Sequence, residues 1–445
     1  MRRKALASIA LVAGFVAVSP GAAAQDAPDG TPLVRMRDGH GSDLLFRLNP
    51  RTLQQVGRPI RTFRNGTGLA ISPDRSRLAF ADGAQRRSER ARRRTARIHF
   101  VDLDGWRSRG VARVGRDSWL TIEWVSNDRV VAVAGDTGGR QRLLWVDMNS
   151  RKVVARRPYA GWAVNTVPVP GGLAIPLAPP EGVGPLRILL LDPNGGVRTI
   201  ALDGIRAGSN YDDGGEVLTP AVTADPDGGR LYVVAARGTL VAEVELATGA
   251  VTYHAIDARG ASDAFGGSLR VGAKGGTAGG AFAGSLRAHA AKGNVDVWSR
   301  QAVWAGDGRI ALTGNHWPRP RGGLFDGPIP LGVRMLDTRS WTVATLDPRP
   351  DTMHVAGGMV LAAGTRYFDA GERTKSTGLL AFDSSGHRAW TRFRGRPVAL
   401  LGSRGPLAYA WTRRTRTAYV LELATGRTLH SIGTGQRIPF LLSAP

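Results

Sequence analysis

The sequence contains no cysteine. The protein therefore cannot form a disulfide bond, use a thiol nucleophile, or hold a metal ion or cluster through thiolates. Lysine is also scarce, with five residues, so arginine carries nearly all of the positive charge. After the N-terminal region no segment approaches 18 uninterrupted apolar residues, so we expect no membrane-spanning helix in the mature chain.

Glycine, proline and apolar residues are abundant. The 445 residues include 59 glycines and 26 prolines, and 42% are hydrophobic. This apolar content can bury a core and excludes an intrinsically disordered chain. The turn-forming residues and the many β-branched residues favour β structure. The formal net charge of +24 points to anionic partners.

The N-terminus has the features of an export signal. Arg2, Arg3 and Lys4 precede the apolar run Ala5–Val18, and a small-residue cleavage site ends at Ala24. We expect residues 1–24 to be a signal peptide and residues 25–32 a short linker. The protein would then be exported to the periplasm, cell envelope or exterior, with a net charge near +21. An uncleaved membrane anchor is the alternative.

Residues 33–445 repeat a two-strand unit, which predicts one β-propeller domain. Each copy has two apolar strands around a short turn rich in Asp, Asn or Gly, the chemistry of β-hairpins. Eight copies of one unit occur: Leu44–Val56, Ile98–Val114, Leu143–Ala155, Leu186–Ile200, Leu240–Ile256, Val333–Leu346, Leu379–Phe393 and Ala418–Ile432. A second hairpin of the same kind lies between most of them. Two hairpins make a four-stranded antiparallel blade, and serial blades are typical of a propeller.

The hairpin count predicts eight blades. The eight copies of the first unit are the outer hairpins, and the second unit provides only seven inner hairpins. The unequal numbers are explained most simply if the unit at 44–57 shares a blade with Ile438–Leu442 and Leu33–Met36. The N- and C-terminal strands would then close the ring. Seven blades is the alternative, if the extra hairpin only packs on the outside.

Several repeats resemble those of known bacterial propellers. Ser72–Phe80 and Asp225–Tyr232 are similar to repeats of TolB-type and other WD-repeat-like propellers, and Val244–Gly249 resembles the outer hairpin of exported ones. Ala381–Trp390 resembles one repeat of the quinoprotein type. The resemblance implies the architecture and an exported protein, and the TolB type implies assembly with a membrane-associated machine. Activity does not follow, because one fold hosts many functions.

The two ends of such a blade differ. The first-to-second and third-to-fourth turns share one face, whereas second-to-third and blade-to-blade connections share the other. The insertions fall in the second group: 83–96, 203–218, a long Gly-rich loop at 257–299, 314–331 and 365–377. Because propellers carry function on loops, we expect this elaborated face to be the working surface. Neutral drift on a tolerant face is the alternative.

Two arginine clusters map to that face. They consist of Arg86, Arg87, Arg90, Arg92, Arg93 and Arg94 in one loop, and of Arg413, Arg414 and Arg416 in another. Guanidinium groups bind phosphates and carboxylates in a bidentate way, so an anionic envelope polymer is a candidate partner. The alternative is a solvated loop that is rich in arginine and has no binding role. Nucleic acid is disfavoured, since no recognised binding module accompanies the charge.

His316 and Trp317 are the remaining candidates. They follow a predicted inner strand, and a histidine that lines the propeller axis can bind a ligand or act as a general base. A structural histidine is the common alternative, and no second histidine stands at metal-ligand spacing. We expect no metal and no cofactor, because no His-Glu-x-x-His motif is present and the quinoprotein-type repeat occurs once.

These observations favour a function in binding. We expect an exported, monomeric scaffold that binds a protein or an anionic cell-envelope partner through the loops of one face. A hydrolase or lactonase-like enzyme with its site at the channel mouth is the alternative. That enzyme would need converging carboxylate, Asn and His side chains.

Overall fold

The structure, a computed structural model, describes eleven segments of the chain. They are residues 33–37, 44–61, 66–82, 95–115, 119–135, 141–210, 215–256, 295–318, 328–368, 373–434 and 440–442. These residues contain β-strands and turns without an α-helix. The all-β prediction is confirmed.

The strands follow one another with short connections. The first part of the chain forms β1 (Leu33–Arg37), β2 (Leu44–Leu48), β3 (Ile60–Arg61), β4 (Gly66–Ile71), β5 (Arg77–Asp82), β6 (Ala96–Asp102), β7 (Arg107–Gly115), β8 (Trp119–Trp124), β9 (Arg129–Gly135), β10 (Gln141–Asp147), β11 (Lys152–Tyr159) and β12 (Trp162–Ala163). The middle part forms β13 (Val167–Val169), β14 (Gly172–Ala178), β15 (Gly182–Leu191), β16 (Val197–Ser209), β17 (Glu216–Thr219), β18 (Ala221–Asp225), β19 (Arg230–Val234), β20 (Leu240–Glu245), β21 (Val251–Ala255), β22 (Asp296–Gly306), β23 (Arg309–Trp317) and β24 (Ile329–Pro330). The last part forms β25 (Val333–Asp337), β26 (Val343–Asp347), β27 (Thr352–Ala356), β28 (Met359–Phe368), β29 (Arg373–Phe382), β30 (Arg388–Arg392), β31 (Val398–Arg404), β32 (Leu407–Thr412), β33 (Thr417–Glu422), β34 (Thr428–Gly433) and β35 (Phe440–Leu442).

Six of the sheets have four strands each and resemble the predicted blades. They are β4–β7, β8–β11, β18–β21, β27–β30, β31–β34, and a sheet in the order β3-β2-β1-β35. Neighbouring sheets meet along their innermost strands: β4 contacts β8, β18 contacts β22, and β27 contacts both β22 and β31. Sheets arranged side by side in this way form a β-propeller.

The predicted count of eight four-stranded blades is wrong, and so is the alternative of seven. The seventh sheet has eleven strands, because β17 pairs antiparallel with β16 and parallel with β22. The sequence predicted residues 203–218 to be a loop insertion on the elaborated face. Instead, β17 satisfies the backbone groups of two strand edges that would otherwise stay open, and it joins β12–β16 to β22–β26.

The two ends of the described chain lie side by side. Leu441 pairs with Arg35 across β35 and β1, and Arg35 pairs with Phe46 across β1 and β2. The predicted pairing of the N- and C-terminal strands is therefore present. It gives the first hairpin a four-stranded sheet, which an isolated two-stranded hairpin needs for stability in water.

The core lies between facing sheets. Strands in the middle of a blade are buried on both faces, as in β9, where six consecutive residues from Val130 are buried. Outermost strands such as β11 instead alternate between exposed and half-buried residues. This gradient explains the near-continuous apolar runs of the middle strands and the alternating pattern of the outer ones.

The blade ends form two distinct faces. The turn face carries the first-to-second and third-to-fourth turns, and the loop face carries the second-to-third and blade-to-blade connections. Arginines link neighbouring sheets at the turn face by donating to turn carbonyl oxygens of the next sheet. The pairs are Arg77 to Asn127, Arg129 to Pro193, Arg198 to Ala247, Arg309 to Ser384 and Arg392 to Gly426.

The loop face carries an extension of the eleven-stranded sheet, which we call the cap. It consists of residues 182–185, 206–209, 216–219, 296–300, 314–317 and 329–330, which pair in that order. Its apolar side chains Leu218 and Trp298 pack with Ala236, which follows β19. The cap therefore covers the loop-face end of the β18–β21 sheet and assembles parts of three predicted insertions, including residues 296–299 of the predicted loop 257–299.

Candidate functional site

The cap brings His316 to a carboxylate. His316 on β23 pairs with Trp298 on β22, and the two rings stack with their centroids 3.7 Å apart. The His316 Nε2 atom lies 2.7 Å from Oδ1 of Asp296. The carboxylate fixes the ring orientation and favours the tautomer with hydrogen on Nε2, which leaves Nδ1 as an acceptor.

Asp296 is held as an anion. Trp298 Nε1 donates to its second oxygen at 2.9 Å, so both carboxylate oxygens accept a hydrogen bond. Burial by itself raises the pKa of Asp296, but the hydrogen bonds from His316 and Trp298 and the charge of Arg237 outweigh it and lower the pKa. Asp296 therefore stays ionised and orients two aromatic rings at once.

Arg237 gives this cluster a positive rim. Its guanidinium carbon lies 5.8 Å from the centre of the Trp298 ring, within cation–π range. Arg237 is exposed, whereas His316 and Asp296 keep only 16% and 23% of their side chains accessible. The arrangement therefore offers a cation at the surface and an oriented imidazole just below it.

Trp317 has a different environment from its neighbour. Alternation along β23 turns it to the opposite side of the sheet from His316. There it is buried with Val217, Val295 and Val297. The sequence placed both residues in one binding site, but the structure places Trp317 in an apolar cluster and His316 in the polar one.

The second arginine cluster is at the loop face. Arg413, Arg414 and Arg416 are exposed in the turn between β32 and β33, the second and third strands of their sheet. The sheet β27–β30 separates them from His316 on β23. The residues of the first cluster, Arg86, Arg87, Arg90, Arg92, Arg93 and Arg94, lie outside the described residues.

Two buried arginines were missed by the sequence analysis. Arg300 and Arg334 are each 6% exposed, although arginine is normally a surface residue. Each stands at a position that alternation assigns to the core: Arg300 lies between Trp298 and Ala302 on one side of β22, and Arg334 lies two residues before Leu336 in β25. That alternation was a usable signal, but the general arginine excess of this chain hid it.

A Ser–His pair joins two sheets near the propeller axis. His354 Nε2 lies 2.6 Å from Oγ of Ser403, linking the innermost strands β27 and β31. Burial lowers the pKa of His354 to about 4, so the ring is neutral at pH 7. Ser403 is only 5% exposed, which leaves its hydroxyl closed to a substrate. We interpret the pair as an inter-sheet hydrogen bond.

A groove lies at the other end of the molecule. Its volume is about 430 Å³, and turn residues of β13–β16 line it together with Leu246. Arg198 borders the groove but donates to the carbonyl oxygens of Leu246 and Ala247. The guanidinium group of Arg198 is thus used to hold a turn. The titratable pair that we consider as a functional site, Asp296 and His316, lies in the cap.

Metal ligands do not cluster in the described part of the chain. Within it, no three His, Asp or Glu side chains come close enough to share an ion. The same residues include no helix of the length and apolarity required to cross a membrane.

Comparisons with known proteins bear on the fold. No known family matches the chain, and no curated protein matches it. Dihydro-heme d1 dehydrogenase NirN in complex with DHE aligns over 95% of this chain and 76% of its own, with 13% identity and a TM-score of 0.55. The Pseudomonas aeruginosa periplasmic gluconolactonase PpgL aligns over 93% and 99%, with 11% identity and a TM-score of 0.44.

A third similar structure is the β-propeller domain of the Trilobed protease from Pyrococcus furiosus. It aligns over 80% of this chain and 93% of its own, with 13% identity and a TM-score of 0.39. At 13% identity and a TM-score of 0.55, the likeness to NirN shows the fold and leaves activity open. The chain is a β-propeller protein.

Proposed function

We propose that the protein is an exported, non-catalytic β-propeller that binds an anionic partner, either a protein or a cell-envelope polymer, through its loop face. The observation that carries this proposal is the exposure of Arg413, Arg414 and Arg416 on a single turn of that face. The N-terminal sequence pattern supports export. Arg237 adds a further exposed cation at the same face.

The arginine turn is well suited to capture an anion. The hydroxyls of Thr412 and Thr415 lie 2.5 Å apart, and the Arg416 carbonyl accepts a hydrogen bond from the Thr434 amide at 2.8 Å. A fixed backbone lowers the entropy lost when guanidinium groups engage a ligand. Clustered cations also raise the local concentration of anions, an effect that salt screens over about 10 Å at 0.1 M.

A charge-matched pair of variants tests the proposal. The triple variant Arg413→Gln, Arg414→Gln, Arg416→Gln removes three charges from the loop face. The control Arg51→Gln, Arg151→Gln, Arg339→Gln removes three exposed charges from turns of the turn face. We expect the first variant to bind fluorescent polyglutamate at least about tenfold more weakly at low salt, and the control to bind almost as wild type. Equal losses would indicate nonspecific attraction and overturn the proposal.

A second candidate function is hydrolysis at the cap, favoured by the Asp296–His316 pair. A carboxylate-oriented imidazole can act as a general base. His316 Nδ1 would take a proton from water, the hydroxide would attack an ester or lactone carbonyl, and the C–O bond would break. His316 would then return the proton to the alkoxide leaving group.

Substitutions of His316 and Asp296 distinguish hydrolysis at the cap from a purely structural role of the pair. If the cap hydrolyses esters or lactones, His316→Gln should lower kcat more than about 100-fold, and Asp296→Asn should shift the pH profile. Both variants should keep a melting temperature near that of wild type. An activity that neither substitution changes would exclude the cap as its site.

A further inference from the structure

Arg300 and Arg334 lie on the same face of the eleven-stranded sheet. Arg300 on β22 pairs with Gly314 on β23, and Leu312, two residues before Gly314, pairs with Arg334 on β25. Paired residues and residues two apart point to the same side of a sheet. The two arginines therefore flank β23 on one side, at neighbouring levels.

Gly314 allows the close packing between them. A Cβ atom at this position would clash with the Ser299 carbonyl oxygen and lie 3.0 Å from Arg300 Cα. Since glycine presents no side chain, β23 contributes only backbone there. The side chain of Arg334 is partly fixed by a hydrogen bond, because its Nε donates to the Leu331 carbonyl at 3.2 Å.

The electrostatics of this pair favour an added anion. Burial first, and then the charge of Arg334, lower the pKa of Arg300 to about 9, and burial also lowers the pKa of Arg334. Both groups remain cations at pH 7. Both also make further interactions within the protein, so an anion would add to these. Two like charges in a poorly solvated site repel each other, and an oxyanion between them would relieve that cost.

The Trp298–His316 stack covers the arginine pair on the side of the cap. Trp298 precedes Arg300 by two residues on the same face of β22, so the Trp298–His316 stack lies between the arginine pair and the outer end of the cap. Arg237 is exposed beside that stack. Its charge would attract an anion toward the buried pair.

We propose that Arg300 and Arg334 form a buried binding site for one oxyanionic group, a carboxylate or a phosphate, of a small ligand that enters from the cap. Paired guanidinium groups offer several N–H donors in fixed directions, a geometry that matches such groups. The site is separate from the exposed arginine turn and does not depend on the proposed binding of a large anionic partner.

Thermal unfolding with small anions tests this site. Wild-type protein would be melted in sodium phosphate and in sodium acetate, each compared with sodium chloride at the same ionic strength. We expect a saturable rise of the melting temperature with at least one oxyanion. A response to both defines a general oxyanion site, and a response to one identifies its class. If neither oxyanion acts beyond chloride, the proposal is overturned.

Two single substitutions assign the response. Arg300→Met and Arg334→Met each replace a buried cation by an apolar chain of similar length, and each should abolish the oxyanion response. Having two variants keeps the test open if one does not fold. The loop-face triple glutamine variant is the control and should keep the full response. A response that survives in either methionine variant would show that the anion binds elsewhere and overturn the proposal.

Discussion

At the scale of single residues, a few titratable side chains are buried in the fold. Asp351 precedes β27 and is only 6% exposed, and burial raises the pKa of its carboxyl to about 7. His99 is buried against Phe80, with ring centroids 4.7 Å apart, and burial and then the charge of Arg97 lower its pKa to about 4. Such groups link folding stability to pH.

Asp351 should reduce stability near neutral pH. Below about pH 3 the carboxyl is protonated in both states, so its ionisation has no effect on stability. As the pH rises from about 3 to 7, the unfolded chain ionises first, and stability is lost. Asp351→Asn should therefore raise the melting temperature at pH 7 and 8 but change it little at about pH 3.

Unfolding of wild type and variant across this pH range checks the sign. Many other carboxylates titrate in the same range, so the informative quantity is the difference between the two proteins. A difference that is constant with pH would show that Asp351 ionises normally in the folded protein.

At the scale of elements, the turns repeat one device. Asp337, at the end of β25, accepts hydrogen bonds from the backbone amides of Arg339 and Ser340 at 2.8 and 2.9 Å. Asp147 and Asp383 accept the same kind of bond in their own turns. The bond to Ser340 is the largest cause that lowers the pKa of Asp337. Aspartate thus fixes the third-to-fourth turn by capping it.

Removing one such cap should cost about 1 kcal/mol. Asp337→Ala should lower the free energy of unfolding by that amount, since it leaves two turn amides to water. Asp337→Asn should retain most of the stability, because an amide oxygen can accept the same bonds. Urea denaturation compares the three proteins, and equal losses in Ala and Asn would point to charge instead of capping.

The elements also show what the sequence could predict. The hairpins were predictable because their turn residues and alternating strands are local signals. The pairing of His316 with Trp298 could also have been predicted, since each residue lies nine positions from residue 307, the centre of the turn between β22 and β23. The parallel pairing of β17 with β22 was not predictable. It joins distant segments, and no local pattern specifies its register.

At the scale of the whole molecule, part of the positive charge has a structural use. From the sequence alone, the arginine excess indicates solvated surface or a binding patch. Five arginines instead bond neighbouring sheets at the turn face, where each donates to a carbonyl oxygen of the next sheet. The hydrogen-bond partner identifies a structural arginine, since Arg198 and Arg392 bond the next sheet although they are exposed. Such partners could not be predicted from a sequence with arginines in most segments.

Arg198 allows a test of this structural use. Its two terminal nitrogens donate to the carbonyl oxygens of Leu246 and Ala247, joining the eleven-stranded sheet to β18–β21. Arg198→Gln should lower the free energy of unfolding by about 1–3 kcal/mol, since it removes charge-assisted bonds. Arg51→Gln, the exposed control, should change it by less than about 0.5 kcal/mol. Chemical denaturation measures both, and equal effects would mean that the contact is not a stabilising one.

The choice of acceptor in these inter-sheet bonds has an evolutionary consequence. Every donor is an arginine side chain, but every acceptor is a backbone carbonyl, which all amino acids carry. Mutation can therefore change the side chains of Ala247 or Ser384 without deleting the bond. The turn residues whose side chains make no hydrogen bond of their own are free to diverge in sequence provided that the backbone shape persists, whereas the arginines that reach these turns are not. Asn127, whose Oδ1 accepts from the Asp74 amide, and the capping Asp337 are exceptions. Among related propellers, we expect the fixed arginine positions, and not the turn sequences, to identify this ring.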